Sequence, residues 1–146
     1  FNGGIHTKYS TQCNLDILKG LEGLGIPAVD LTKEKNGFAI YDDADLHIGF
    51  RVHSHIYCLS KRIRSILVEE DARGFGVNEA LGLPNILAFD PEQISGMQFV
   101  PSKSLAQDMD SALDGICTEN IEMYCKAFQS MKRTYEEKMR VQIENL

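Results

Sequence analysis

Three histidines in one apolar stretch, His47, His53 and His55, are the side chains best suited to chemistry in this sequence. In a β-strand, alternate side chains point to opposite faces, so these three imidazoles would share one face. His53 and His55 would then lie about 7 Å apart and could hold a metal ion together with His47. No fourth ligand follows at a fixed spacing. The preferred interpretation therefore assigns no metal and no other cofactor.

The pair His53 and His55, separated by one residue, is similar to the His-x-His element of the metal site in cupin barrels. A cupin site also uses a Glu a few residues later, and residues 56–65 contain no carboxylate. An EF-hand loop counted from Asp42 would need Gly at its sixth position and Glu at its twelfth. Those positions hold His47 and His53. The acidic turn that begins at Asp42 is therefore expected to be a solvated surface.

A thiol-dependent site is the other chemical alternative. Cys13 falls in the first turn of a predicted helix, where free amides and the helix dipole lower the pKa of a thiol. His53 or His55 could then act as the base, with Asp90 orienting it. No local signature of a thiol protease family accompanies Cys13. The preferred interpretation makes Cys13 structural and assigns no catalytic residue.

The stretch Leu46–Cys58 is predicted to be the central strand of the sheet, with Phe50 and Val52 in the core. Its apolar side chains share one parity, and it contains no Pro. A helix that ends at Gly25 precedes this strand. Shorter strands are predicted at 38–41, 62–68, 86–89 and 97–100. The expected fold is α+β, with a mostly antiparallel sheet of four to six strands, an N-terminal helix and a long C-terminal helix.

An amphipathic helical pattern runs from Ser104 to about Ile143. One helix of that length would measure about 60 Å, whereas a compact domain of this size has a radius of gyration of about 15 Å. The helix therefore either breaks between Gly115 and Asn120 or projects its end, residues 129–146, onto a partner. In the second case the partner-binding stripe comprises Phe128, Met131, Tyr135 and Met139.

Length and composition are those of an ordinary globular protein. The 146 residues are 43% hydrophobic and 25% charged, and they predict one domain over 1–146 with a flexible lead-in at 1–9. The net charge of -6 disfavours nucleic acid as a partner, and no apolar run is long enough to span a membrane. Four cysteines without paired short spacing predict free thiols in an intracellular reducing compartment.

The predicted order of elements, in an acidic chain of this length, is similar to that of class I type III secretion chaperones. The segment Leu24–Ile26 and the run Leu105–Phe128 suit that plan, although the middle helix used for dimerisation has no counterpart. The resemblance implies a dimer that binds another protein. The sequence thus predicts a non-catalytic protein-binding module or assembly subunit, with a protein partner or a second copy. The alternatives are a thiol- or metal-dependent enzyme and a secretion-chaperone-like dimer.

Overall fold

The computed structural model describes residues 16, 19–27, 29, 35–90, 100–118 and 121–140. The chain divides into two compact units, Phe1–Asp43 and Ala44–Leu146, and each is described by itself. No helix within the described ranges is long and apolar enough to cross a membrane. The lead-in at residues 1–9 lies outside those ranges, and the single domain over 1–146 stays a prediction.

In the first unit, residues 19–23 are helical and Gly25 has a φ of +68°. Glycine adopts a positive φ without strain, and the amide of Ile26 donates to the carbonyl of Leu21 at 2.9 Å. This bond satisfies one of the last carbonyls of the helix. Further along, Gly37–Tyr41 forms a 3-10 helix. The strand predicted for that segment is wrong.

The second unit is built on a three-stranded parallel sheet with the order β1-β2-β3. Its strands are β1 Leu46–Gly49, β2 Arg64–Glu69 and β3 Ile86–Leu87. The crossovers that parallel neighbours require are helices α1 Val52–Ser60 and α2 Ala72–Leu81. The chain continues with α3 Leu105–Thr118, α4 Ile121–Thr134 and a π-helical turn, Tyr135–Met139. The architecture is α+β, but the prediction of a mostly antiparallel sheet of four to six strands is wrong.

The predicted long strand Leu46–Cys58 is the origin of that error. β1 ends at Gly49, and the second half of the stretch is α1. The buried residues of α1 recur at helical spacing: Ser54, His55, Cys58 and Leu59. Phe50, predicted to be core, is 51% exposed. Among the described strands, β1 also lies at an edge of the sheet, because β2 lies between β1 and β3.

A residue with positive φ lies two positions after the end of α1 at Ser60. Arg62 has a φ of +62°, and the amide of Ile63 donates to the carbonyl of Cys58 at 2.9 Å. The chain then turns directly into β2, which corresponds to the strand predicted at 62–68. The second crossover helix is capped at both ends, by the Asp71 side chain at its start and by Gly82 at a φ of +68° at its end.

The central strand β2 divides its side chains between two layers. Ser65, Leu67 and Glu69 share one face with each other, as alternate residues of a strand do. Ile66 and Val68 point to the opposite face. That face belongs to the apolar core, to which α3 and α4 contribute Ala112, Ile116, Tyr124 and Ala127. The Tyr124 hydroxyl also donates to the carbonyl of Ser65 at 2.9 Å. The helical pattern that starts near Ser104 is thus two helices, with α3 ending at Thr118 and α4 beginning at Ile121, which agrees with the predicted alternative of a break between Gly115 and Asn120.

Candidate functional site

A buried hydroxyl joins two of the three candidate histidines. His47 of β1 lies opposite Ser65 of β2 in the parallel register, and its Nδ1 is 2.7 Å from Ser65 Oγ. The Nδ1 of His55, on α1, is 2.7 Å from the same oxygen. All three residues are buried. Because a hydroxyl carries one hydrogen, Ser65 donates to one imidazole and accepts from the other.

Asn78 of α2 continues the polar contacts on this face of the sheet. Its Nδ2 donates to Glu69 Oε1 at 2.7 Å and to the carbonyl of Pro84 at 3.1 Å. Asn78 is 1% exposed and Glu69 is 3% exposed. We call the five residues His47, Ser65, His55, Asn78 and Glu69 the buried polar chain. Its residues lie on β1, α1, β2 and α2, which are consecutive elements of the second unit.

Burial sets the protonation of the buried polar chain. Desolvation lowers the pKa of His47 to about 4. Desolvation also lowers the pKa of His55 to about 4; the neighbouring His47 lowers it further, while a hydrogen bond with Asn78 opposes both. Burial raises the pKa of Glu69, and the hydrogen bond from Asn78 acts in the opposite direction. Both imidazoles are therefore neutral at pH 7.

The buried polar chain has no room for a substrate. Ser65 is 2% exposed. The cavity beside it, lined in part by Asn78 and Tyr124, has a volume of about 10 Å³. That is room for the centre of one water molecule at most. A ligand of this unit must therefore bind elsewhere.

The carboxyl ends of β1 and β2 offer such a place. The turns and helix N-termini that follow two adjacent parallel strands lie at the same end of the sheet, the carboxyl ends of the strands. Arg51 is the N-cap of α1, with no side-chain capping bond, and His53 lies in its first turn. Asp71 is the N-cap of α2, followed by Arg73. We call these four residues the carboxyl edge. All four are exposed.

The carboxyl edge carries cations where the helix dipole disfavours them. A helix N-terminus has a partial positive charge, so the guanidinium of Arg51 at the start of α1 gains nothing from the dipole. The side chains of Arg51 and His53 make no hydrogen bond or ion pair within the described ranges. Arg73 instead pairs with Asp71, and its hydrogen bonds hold the pKa of that carboxyl below its usual range. Arg51 is therefore a cation of the carboxyl edge whose side chain pairs with no other side chain in the described ranges.

The structure separates the predicted metal ligands. His53 and His55 are two residues apart on a helix, which points them in directions about 200° apart. His53 is exposed and His55 is buried. The histidine row on one strand face, on which the metal alternative was based, is therefore wrong. The described part of the chain contains no group of three His, Cys, Asp or Glu residues that could hold a metal ion.

Only part of the thiol alternative lies in the described ranges. Cys13 lies outside them. Asp90, predicted to orient the base, is half-buried just after β3. Cys58 is buried and Cys125 is exposed, and neither forms a disulfide with another described residue. The thiol-dependent alternative stays a prediction.

The predicted partner-binding stripe is divided by the fold. Phe128 and Met131 are half-buried and pack against the apolar core of the second unit. Tyr135, one turn further, is 50% exposed. The side chain of Met139 lies outside the described part. Of the stripe, Tyr135 is the described residue with the most surface for a partner.

Ser65, Asn78, Glu69 and Arg51 were not recognised from the sequence. Three of them are polar residues in the interior, and their roles depend on pairing between elements far apart in the chain. A signal for α1 did exist: His55, Cys58 and Leu59 are spaced as a helical face. A helix that begins at Val52 makes Gly49–Arg51 a strand-to-helix turn.

Comparisons with known proteins return no matching family model, no matching curated protein and no matching solved structure. The resemblance to class I type III secretion chaperones depended on a mostly antiparallel sheet. The parallel order β1-β2-β3 removes that basis. The function of the chain is inferred below from its own geometry.

Proposed function

We propose that this chain binds a small anionic molecule, one that carries phosphate or carboxylate groups, at the carboxyl edge. The observation that supports the proposal is the placement of Arg51 and His53 in the first turn of α1, directly after a parallel strand and without partners in the described ranges. Helix N-termini with free amides bind anions, and a guanidinium can bind phosphate or carboxylate with two parallel hydrogen bonds.

Arg73 of the neighbouring crossover adds a second cation. β1 and β2 are adjacent and parallel, so the turns that follow them lie at the same end of the sheet. Arg73 is held by Asp71 on the exposed surface, where an ion pair contributes little. An anion can therefore compete with Asp71 for this guanidinium. Phe50, half-exposed after β1, supplies an apolar wall.

Titration calorimetry with pyrophosphate at low ionic strength tests the proposal, since salt screens exposed charges. We expect Arg51→Gln and His53→Gln each to weaken binding about tenfold or more, as loss of a charged hydrogen bond does. Lys61→Gln is the matched control, because Lys61 is the exposed cation at the other end of α1. Malonate in a parallel titration distinguishes carboxylate from phosphate recognition.

Absence of binding to either anion would contradict the proposal. Equal weakening by Lys61→Gln and Arg51→Gln would also contradict it, because attraction would then come from overall charge and not from the carboxyl edge. Binding of both anions with the expected ranking of variants supports a general anion site. Binding of pyrophosphate alone narrows the ligand to a phosphate compound.

A second candidate function is protein binding through the end of the last helix. The observation that favours it is Tyr135, a large ring half-exposed at the start of a π-helical turn. Amphipathic helices with such anchors bind apolar grooves. If a second copy is the partner, light scattering should show a dimer that Tyr135→Ser weakens and Ile56→Ser does not. Ile56 is a matched exposed apolar residue on α1. A monomer at all concentrations would exclude the second copy.

A further inference from the structure

One hydroxyl attaches both β1 and α1 to the central strand. Nδ1 of His47, on β1, and Nδ1 of His55, on α1, each lie 2.7 Å from Ser65 Oγ. The hydroxyl has a single hydrogen, so one neutral ring carries its proton on Nδ1 and donates, while the other has a bare Nδ1 and accepts. All three side chains are buried. The attachment therefore depends on one ring keeping a bare Nδ1.

Protonation of the rings weakens this attachment. When the accepting ring gains a proton, both Nδ1 atoms are donors, and the Ser65 hydrogen has no acceptor on either ring. When the donating ring gains one, a positive charge is buried beside a second imidazole. If that ring is His55, the new proton lies on Nε2, which has no hydrogen-bond partner among the described residues. Either proton therefore favours separation of the rings from β2.

The charged groups around the two rings do not offset this cost. Glu69 shares a face of β2 with Ser65, and its carboxylate would stabilise a charged ring, but burial raises its pKa and so reduces its ionised fraction in acid. Arg64, half-buried, donates to the carbonyl of Ile116 instead. The remaining basic and acidic side chains on the described parts of β1, α1, α2, α4 and their caps are exposed: Arg51, His53, Lys61, Asp71, Arg73, Glu79, Glu122, Lys126, Lys132 and Arg133.

The opposite face of β2 is held by groups that acid does not change. α3 and α4 pack there through apolar residues such as Ala112 and Ile116. The Tyr124 hydroxyl bonds to the Ser65 carbonyl, and burial raises its pKa to about 12, so it keeps its proton throughout the acid range. Leu59 of α1 also packs in the apolar core and favours docking of α1 while the rings are neutral. Acid therefore acts first on the β1 and α1 side of Ser65.

We propose that His47, Ser65 and His55 form an acid-sensitive switch: when the rings are charged, α1 leaves β2, while α3 and α4 stay packed on it. Native proteins open locally at a lower free energy than global unfolding requires. Arg51 and His53 lie at the start of α1, so its release separates them from Arg73 on α2 and disperses the carboxyl edge. The loss of anion binding in acid rests on the proposed function, but the release of α1 does not.

The direction of the switch follows from the burial of the rings. A solvated imidazole has a pKa near 6.5, while the docked rings have values of about 4. The released state binds protons more tightly, so docking is complete above pH 6.5 and weakens as the pH falls from 6.5 to 4. Between pH 7.5 and pH 5 the released fraction should rise about tenfold or more for each ring.

Cys58 reports the release, because it is a buried residue of α1, whereas Cys125 is an exposed residue of α4. Dithiodipyridine labels thiols in acid as well as at neutral pH, and peptide mass spectrometry locates the label. We expect the labelling rate of Cys58, relative to that of Cys125, to rise about tenfold or more from pH 7.5 to pH 5 and to return when the pH is restored. A constant ratio would overturn the proposal.

Amide hydrogen exchange in the same samples separates local release from global unfolding. After correction for intrinsic rates, residues 55–60 should lose protection at pH 5, and residues 124–131 should keep it. Loss of protection in both segments would overturn the switch. His55→Gln removes one titrating ring and should reduce the pH effect on Cys58, whereas His53→Gln, at an exposed position of α1, should leave that effect unchanged. Equal pH effects in the two variants would also overturn it. The unaltered chain decides the question if a variant does not fold.

Sulfate at low ionic strength tests the link to the carboxyl edge, because its charge is the same at pH 7.5 and pH 5. Its affinity should fall about fivefold or more in acid, although positive charge gained by an intact surface would strengthen anion binding. A rise in affinity would overturn the link between the switch and the ligand. Release of α1 in a chain that binds sulfate at neither pH would support the switch and contradict the proposed function alone.

Discussion

At the residue scale, Ser65 has the most demanding environment in the second unit. It makes two side-chain hydrogen bonds of 2.7 Å with a single hydrogen, and its carbonyl accepts a third bond from Tyr124. Its neighbours His47 and His55 would titrate near neutral pH at a surface, but burial holds both neutral. Charging both rings would place an N–H donor on each Nδ1, and the Ser65 hydrogen would then face no acceptor on either ring.

Stability should therefore fall as the solution is acidified. In the unfolded chain each ring has a pKa near 6.5, while the folded values are about 4. The unfolded state binds protons first, so stability is complete above pH 6.5 and is lost as the pH falls from 6.5 to 4. The loss is about 2 kcal/mol per ring by pH 5, since one pKa unit corresponds to about 1.4 kcal/mol. The raised pKa of Glu69 has the opposite effect on stability, because the folded state binds this proton more tightly than the unfolded state does.

Urea unfolding at pH 7.5 and pH 5 measures this loss. The variant His55→Gln removes one buried ring and should show a smaller difference between the two pH values. His53→Gln, at an exposed position of the same helix, should keep the difference of the unaltered chain. Equal stability at both pH values in the unaltered chain would show that the two rings are not buried as neutral groups.

The space around Gly49 gives a second test at this scale. A Cβ there would lie 2.9 Å from Nε2 and 3.0 Å from Cε1 of the buried His47 ring, which Ser65 holds in place. Gly49→Ala should lower the free energy of unfolding by about 1–3 kcal/mol. Gly76→Ala, in α2 with nothing within 4 Å of the new Cβ, should raise it by up to about 1 kcal/mol. If the denaturant midpoints of both variants were higher, or both lower, than that of the unaltered chain, this packing would be contradicted.

At the element scale, α4 is attached to the sheet through a buried tyrosine. Tyr124 is 3% exposed, its hydroxyl donates to the Ser65 carbonyl, and burial raises its pKa to about 12. Tyr124→Phe leaves that carbonyl without this donor and should cost about 1–2 kcal/mol of unfolding free energy. Tyr135→Phe, at a half-exposed ring, should change it by much less. Equal thermal shifts in the two variants would argue against the bond.

Element boundaries show how far the sequence could predict the fold. The strand at 62–68 and the helical pattern after Ser104 were recognisable from local signals. The stretch Leu46–Cys58 was not, because apolar residues there fit an alternating pattern and a helical face at once. Burial decides between them: His55 is fully buried while Ile56 is 40% exposed. Burial depends on packing against β2 and α2, which no local window contains.

The candidate site was predictable to a smaller degree. His47 and His55 were singled out together with His53, but as ligands of a metal ion and on a strand. The actual partner of His47 and His55, Ser65, is eighteen residues from the first and ten from the second. The carboxyl edge exists because β1 and β2 are parallel. A mostly antiparallel sheet gives no reason to expect Arg51 and Arg73 at the same end. Non-local pairing is thus the information that was missing.

At the scale of the whole molecule, charge and topology act in opposite directions. The chain has a net charge of -6, which repels anions at long range. The parallel order β1-β2-β3 nevertheless brings the starts of α1 and α2 to one end of the sheet, with Arg51, His53 and Arg73 on them. An anion that binds must therefore do so by specific contacts at short range. Non-specific attraction is the alternative that the overall charge disfavours.

The most direct test of the anion site is a map of amide shifts in the nitrogen-labelled chain during titration with pyrophosphate at low ionic strength. We expect the largest changes on residues 51–54 and 71–74, and we expect Arg51→Gln to abolish most of them. Residues 60–63, at the other end of α1, should change little. Shifts concentrated at 60–63, or no saturable shifts at all, would contradict the claim that the carboxyl edge is a ligand site.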